Sequence, residues 1–399
     1  EQSREDCVDK METTKKLYDL DAYQTEFDGE VLSCEPLEKK EGTVYQVILD
    51  QTLFFPEEGG QSPDQGTMNG IDVLDVQIKK DVITHTLAQP IAPGTKVHGI
   101  LNWEHRFSNM QQHTGEHIFS GLVHGKYGYN NVGFHLSDNI VTMDFDGVLD
   151  QAQVEEIEDE VNRVISSNRP VEVTYPTKEE LEKLEYRSKI EIEGQVRIVT
   201  IPGVDVCACC APHVARTGEI GMLKVMTLSN YKGGVRISIL CGFRALRAFR
   251  EKAQIINALT GSLSANQEML PELVEKLKTA NQDLSYKLAA AKQKLMTEKI
   301  AEIPAEQENV ILFETDLDTP VIRNVVNELT AVHTGVCGIF VGEEESGYQF
   351  IIGSSTKDCR EIAARLRESA GARGGGSAAM IQGSVKEREE KLKELLEQI

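Results

Sequence analysis

The chain has 399 residues, 40% apolar and 27% charged, a length that supports two or three domains with cores of their own. Its formal charge of −22 excludes affinity for nucleic acid through a bulk positive field, so such a partner needs a local basic face. No apolar run approaches the roughly 20 residues of a bilayer span and no signal-peptide pattern opens the sequence, so a cytoplasmic location and no membrane partner are expected.

Met11 opens METTKKLYDLDAY, and residues 1–14 read as an extension ahead of the first domain. Residues 27 to 103 alternate short β-rich runs, such as TVYQVILD and IDVLDVQI, with turn-rich connections. That pattern predicts a small N-terminal β-barrel over 15–103. Its longest connection, FFPEEGGQSPDQG from Phe54 to Gly66, carries Gly59 and Gly60. Adjacent glycines suit a plain hairpin turn or a loop that touches a ligand's backbone, and both readings stand.

Residues 104–127 read as one helix, with Phe107, Met110, Ile118, Phe119 and Leu122 apolar and Gly125 near its end. Strand-like stretches follow at 132–136 and 140–145, then a helix over 151–167 ended by Arg169-Pro170. An acidic helix is expected over 178–189 and a strand over 195–201. The order predicts an α+β domain over 104–247 rather than a doubly wound sheet.

Over 248–303 the chain turns helical. Leu273, Leu277, Ala280, Leu284, Leu288, Ala291 and Leu295 recur at spacings of three and four, as in a helical hairpin or coiled-coil seam, and Pro271 separates this helix from the one before. The seam predicts a homodimer through residues 250–300. A small α/β unit occupies 304–399, with strands at 309–313, 335–341 and 348–352, helices at 320–329 and 357–370, and the glycine-rich Gly371–Met380.

The chemistry concentrates in two half-sites. His113 and His117 in QQHTGEHIFSG stand four apart, on one helical face and within reach of one metal ion. Cys209 and His213 in CACCAPHVARTGEIG repeat the spacing with a thiolate and an imidazole. Together they form a four-ligand set that suits zinc. Of the eight cysteines only Cys207, Cys209 and Cys210 cluster, and disulfides are not expected. Cys209 is preferred because it alone stands four before His213, with Cys207 or Cys210 as the fallback. His113-Thr-Gly-Glu116-His117 also fits the inverted zincin signature H-x-x-E-H, with Glu116 as general base, but that reading leaves Cys209 and His213 without a role. From Lys224 to Lys252 seven basic residues face one acidic residue, as a solvated surface or a phosphate-binding face.

These motifs carry a resemblance. QQHTGEHIFSG followed by CACCAPHVARTGEIG resembles the free-standing alanyl-tRNA editing proteins, the AlaX family in its long form, which are similar to the editing domain of alanyl-tRNA synthetase. The match runs through His113, His117, Cys209, His213 and Thr217–Gly221. FFPEEGGQSPDQG resembles the family's Gly-rich loop, and Gly371–Met380 the glycine-rich element of a DHH-associated C-terminal domain. The chain departs from the synthetase pattern at Cys210-Ala-Pro212, where the synthetase has Gly-Gly-Thr.

The resemblance implies hydrolysis of the ester joining serine or glycine to the tRNA for alanine, a trans-editing aminoacyl-tRNA deacylase. Such an enzyme removes near-isosteres that binding alone rejects too weakly. It also implies zinc as cofactor, a homodimer, and Asn131 as the polar residue that meets the amino-acid side chain. Glu116 stands beside it as a catalytic candidate. Gly59, Gly60, Arg244 and Arg247 are the candidates for tRNA contact. The alternative is a zinc-stabilised tRNA- or protein-binding module without catalysis.

Overall fold

Burial alternates along Glu26–Lys39 (β1), where Phe27, Gly29 and Val31 turn inward and their neighbours outward, as in a strand with one face on a core. Five more strands follow: Gly42–Leu49 (β2), Gly66–Met68 (β3), Ile71–Lys79 (β4), Val82–Leu87 (β5), which is buried at all but one position, and Lys96–Leu101 (β6), which alternates as β1 does. They close a barrel in the order β1-β2-β5-β4-β3-β6. Closure leaves no free edge, and Val47, Leu49, Phe54, Met68 and Ile83 fill the interior. This computed structural model describes residues 13–40, 42–188 and 195–398. Most of the expected extension therefore lies outside the described residues. Thr14 belongs to the fold, since it is buried and its hydroxyl accepts from Ile83 N at 3.0 Å.

A single long helix, Trp103–Tyr127 (α1), follows. The Asn102 side chain caps it by accepting from His105 N, and Gly128 ends it in the left-handed region at φ 71°, three residues past Gly125. From Asn109 to Gly121 every residue is buried, so the helix is enclosed rather than amphipathic. It packs with Gln151–Ser166 (α2) over an antiparallel sheet of Asn131–Leu136 (β7), Val141–Phe145 (β8), Leu223–Tyr231 (β12) and Gly234–Cys241 (β13), ordered β12-β13-β8-β7. A second sheet, Glu172–Thr174 (β9), Ile198–Ile201 (β10) and Asp205–Ala208 (β11), flanks the same helix.

The acidic helix expected over 178–189 shrinks to one turn, Lys178–Leu181 (α3), begun by a capping box at Thr177 and Glu180. The cause is tertiary. Arg187 N donates to Val206 O and Arg187 O accepts from Ala208 N, so this stretch bridges to β11 instead of continuing the helix. Residue 189 lies outside the described residues.

The described residues form two compact units that divide after Ile255. Gly242–Leu263 (α4) runs across that boundary. In the second unit Leu270–Ala301 (α5) starts with Pro271 in its first turn. The five-stranded sheet is Val310–Glu314 (β14), Cys337–Glu343 (β15), Gly347–Gly353 (β16), Arg373–Gly376 (β17) and Met380–Val385 (β18), in the order β14-β15-β16-β18-β17. Helices Thr319–Val332 (α6), Cys359–Ala370 (α7) and Glu389–Glu397 (α8) complete this unit. Met296, Ala289 and Ile300 of α5 pack on the core around α6, while Leu277, Leu284, Leu288 and Leu295 stay exposed. Among the described residues no helix is long and apolar enough to cross a membrane.

Arg106, in the first turn of α1, is fully buried and ion-paired with Asp64 of the barrel's long loop. Its Nε also meets Asp64 at 3.0 Å, and its remaining donors reach Leu53 O at 2.6 Å and Ala22 O at 3.1 Å. Removing one partner strands a buried charge, at a cost of about 3–5 kcal/mol. Arg106→Met should therefore lower the urea midpoint of the full chain sharply, and Arg106→Met with Asp64→Leu should recover much of the loss. Additive losses would show that the two charges are not coupled.

Candidate metal centre

Buried all round, α1 can carry polar side chains only if each finds a partner. Gln112 clamps the end of β13, donating to Cys241 O at 2.9 Å and accepting from Cys241 N at 2.7 Å. Gln111 donates to Glu219 O at 2.8 Å. These bonds fix the rotation of the helix and aim His113 and His117 at the loop after β11. Gly121 allows the approach, because a Cβ there would meet Val204 O at 2.6 Å. From the other side Arg197 holds the loop by donating to Cys209 O at 2.8 Å and Ala211 O at 2.9 Å.

The result is a cluster of His113, His117, Cys209 and His213 whose ligand atoms all lie within 4.8 Å of one another. Cys209 Sγ stands 3.5 Å from His113 Nε2 and 3.4 Å from His213 Nε2. All three imidazoles are buried. Each ring's other nitrogen has a partner of its own: His113 Nδ1 meets Gln61 Oε1 at 2.8 Å, His117 Nδ1 meets Asp205 Oδ2 at 3.0 Å, and His213 Nδ1 meets Thr114 Oγ1 at 3.0 Å. Thr114 gives its hydroxyl proton to Met110 O, so its oxygen accepts from His213. Asp205 accepts as a carboxylate, and Arg187 grips it at 2.7 and 2.9 Å. Both bonds place a proton on Nδ1 and turn Nε2 toward Cys209, the arrangement by which metal-binding histidines are oriented.

The electrostatics agree. Burial pushes the Cys209 thiol up, but the neighbouring His113 and His213 and hydrogen bonds from His113 and His117 hold it well below its usual value. Burial pushes His117 down, but the neighbouring Cys207 and Cys209 and the hydrogen bond to Asp205 outweigh it and hold the ring well above its usual value. Burial takes His213 down to about 3. Cys209 is thus held toward the thiolate form and His213 toward the neutral form, the forms in which each donates to a metal. Cys207 and Cys210 are pushed up by burial and stay thiols. Cys207 groups instead with His117 and Asp205.

Beside the cluster Glu116 is buried, and its Oε1 accepts from Ser120 Oγ and Asn131 Nδ2, both at 2.6 Å. Its Oε2 lies 3.9 Å from His117 Nε2. Asn131 also donates to Ser120 Oγ at 3.0 Å and accepts from Gly133 N at 3.2 Å. Its amide protons therefore orient the carboxylate. The structure brings both candidates, Glu116 and Asn131, into one network at the metal cluster, together with Ser120, which sequence reasoning passed over.

The candidate tRNA contacts fare unequally. Arg244 is buried and donates to Ser108 Oγ at 2.7 Å, Asn109 Oδ1 at 2.7 Å and Ser137 O at 2.6 Å, so it serves the fold. Lys224 pairs with Glu158 and Arg236 with Asp144. Arg247, Arg250 and Lys252 are exposed on α4, and Lys232 is exposed in the turn between β12 and β13. Gly59 and Gly60 are exposed at the centre of a tight turn that joins the edge of β7. Sequence reasoning also missed Gln61, Thr114, Asp205, Arg187 and Arg197. Of these, Gln61, next to the double glycine, and Thr114, between the two histidines, stood in motifs already singled out.

The chain is similar to known proteins. The family model described as "Threonyl and Alanyl tRNA synthetase second additional domain" matches residues 196–238, and that of "tRNA synthetases class II (A)" matches residues 2–105. The alanyl-tRNA editing protein Aarsd1 of Mus musculus is 29% identical over 92% of this chain and 93% of its own. The alanyl-tRNA editing protein AlaX-L of Pyrococcus horikoshii is 32% identical over 66% of each. The alanine–tRNA ligase of Ignicoccus hospitalis is 28% identical over 97% of this chain and 43% of its own. With such a match along most of its length, the chain belongs to the family of alanyl-tRNA editing proteins.

Proposed function

We propose that the protein is a zinc-dependent aminoacyl-tRNA deacylase that clears seryl- or glycyl-tRNA for alanine. The observation that carries the reading is the convergence of three oriented imidazoles on Cys209 next to a buried carboxylate. A thiolate with three imidazoles is a zinc donor set, and ligand atoms of a tetrahedral zinc shell stand about 3.5 Å apart, in accord with the separations from Cys209. Zinc held by His113, His117, Cys209 and His213 would supply Lewis acidity to a water or to the ester carbonyl.

The chain's own residues do the rest. Glu116, held by Asn131 and Ser120, is placed to accept a proton from a water at the centre. Enclosure of the helix keeps other water away. RNA meets the protein through the exposed Arg247, Arg250, Lys252 and Lys232, and through Gly59 and Gly60. The exposed leucines of α5 form the homodimer contact. A four-ligand set also suits a structural metal, so the competing reading is a zinc-stabilised binding module.

Release of free tRNA from seryl-, glycyl- and alanyl-tRNA separates the two readings. The deacylase should clear one or both wrong esters and spare alanyl-tRNA, and Glu116→Gln should slow it by roughly 10²–10⁴-fold with zinc retained. No release above the blank would decide for the binding module.

Metal analysis should find about one zinc per chain, lost in Cys209→Ala and kept in Cys207→Ala. The reverse pattern would move the ligand to Cys207. Arg247→Ala should raise the half-saturating tRNA concentration, lower the salt slope by about one unit and leave the saturated rate unchanged. Light scattering should give a dimer for the full chain and a monomer for Leu284→Glu with Leu288→Glu. A monomeric full chain at micromolar concentration would rule out the seam.

A further inference from the structure

Two of the three ring-orienting groups belong to the helix or strand that packs directly at the centre, Thr114 on α1 and Asp205 on β11. The third comes from the barrel. Gln61 is 1% exposed, and its Oε1 stands 2.8 Å from His113 Nδ1. Its Nε2 is buried with no hydrogen-bond partner. A buried amide that leaves its donor unsatisfied and commits its acceptor to a ring nitrogen is held for that acceptor.

The double glycine explains how the amide reaches this place. Glu58 N donates to Gln61 O at 3.3 Å and Gln61 N to Glu58 O at 3.1 Å, closing a two-residue turn with Gly59 at φ 61° and Gly60 at φ 82°. Positive φ at both central residues favours glycine. Gly60 is further constrained, since a Cβ there would lie 2.4 Å from Phe134 O. Leu136 N donates to Gly60 O at 2.7 Å and Ser62 N to Leu136 O at 3.0 Å, so the turn is stitched to the edge of β7. Asp64, three residues on, is anchored by Arg106.

We propose that Gln61 is a positioning residue of the metal centre, and that the Gly-Gly turn exists to press its carbonyl oxygen onto His113. With the oxygen toward the ring, Nδ1 carries the proton and Nε2 is free to bind a metal. With the amide reversed, its N–H would donate to Nδ1, the proton would move to Nε2, and the ligand would be blocked. The Gly-rich loop thus sets the metal-binding competence of α1 from outside the editing sheet. This inference rests on the proposed zinc site and not on the deacylase reading.

Zinc affinity of the full chain, measured by competition with a chromophoric chelator in the absence of tRNA, tests it. Gln61→Leu removes the acceptor at similar volume and should weaken zinc by roughly 10–100-fold, the usual effect of losing an outer partner of a metal ligand. Gly60→Ala should weaken zinc similarly by lifting the turn off β7. Gln61→Glu keeps an acceptor and should hold zinc at least as tightly as the unaltered chain. Affinity within twofold in Gln61→Leu, or a loss in Gln61→Glu as large as in Gln61→Leu, overturns the proposal. If Gln61→Leu fails to fold by circular dichroism, the Gln61→Glu outcome still decides. An unaltered chain that binds no zinc would overturn the zinc site itself, a result distinct from a chain that binds zinc but hydrolyses nothing.

Discussion

The buried pair of Asp64 and Arg106 is the constraint on which the rest of the first unit depends. Desolvating a guanidinium and a carboxylate together costs several kcal/mol per ion unless each donor and acceptor is met. Here Arg106 ties the first turn of α1 to the carboxylate and to carbonyls at Leu53 and Ala22, three separate stretches of the barrel domain. Asp64 in turn accepts from Phe55 N at 2.7 Å, fixing both ends of the Gly-rich loop. Barrel and α1 consequently meet in one geometry, and Gln61 arrives at His113 as a result.

From that anchor α1 continues as a helix that breaks the usual pattern of one apolar stripe. Gln111, Gln112, His113, Thr114, Glu116, His117 and Ser120 are all buried. Such a run is stable only where each side chain finds a partner for at least one of its polar atoms. Partners come from four directions: the barrel loop through Gln61, β7 through Asn131, β11 through Asp205 and β13 through Cys241. Orienting bonds to all three imidazoles come from this same network. Structural satisfaction and the orientation of the three rings are thus one arrangement.

The second unit follows a simpler rule. Its sheet and helices bury Val325, Ile339, Phe340, Ile352 and Leu366 in the ordinary way. Along α5 the apolar positions divide. Met296, Ala289 and Ile300 face that core, and the seam of Leu277, Leu284, Leu288 and Leu295 lies exposed. A helix with apolar residues on two faces has more to bury than one neighbour can cover.

What the sequence determined by itself was local. Period-two runs gave the barrel strands, the spacing of four put His113 with His117 and Cys209 with His213, and Pro271 marked the start of α5. Periodicity says which side chains share a face, and for the four residues of the candidate site that was nearly enough to bring them together. It says nothing of which distant atoms that face will meet. Gln61 stands 52 residues from His113, Asp205 88 from His117, and Thr114 99 from His213. Only closure of the barrel and sheets onto α1 pairs them. The same long-range packing buried Arg244, which a count of basic residues had placed on a surface, and turned the stretch before Arg187 from helix to bridge. In each case a partner far along the chain offered a bond that the local pattern could not outweigh.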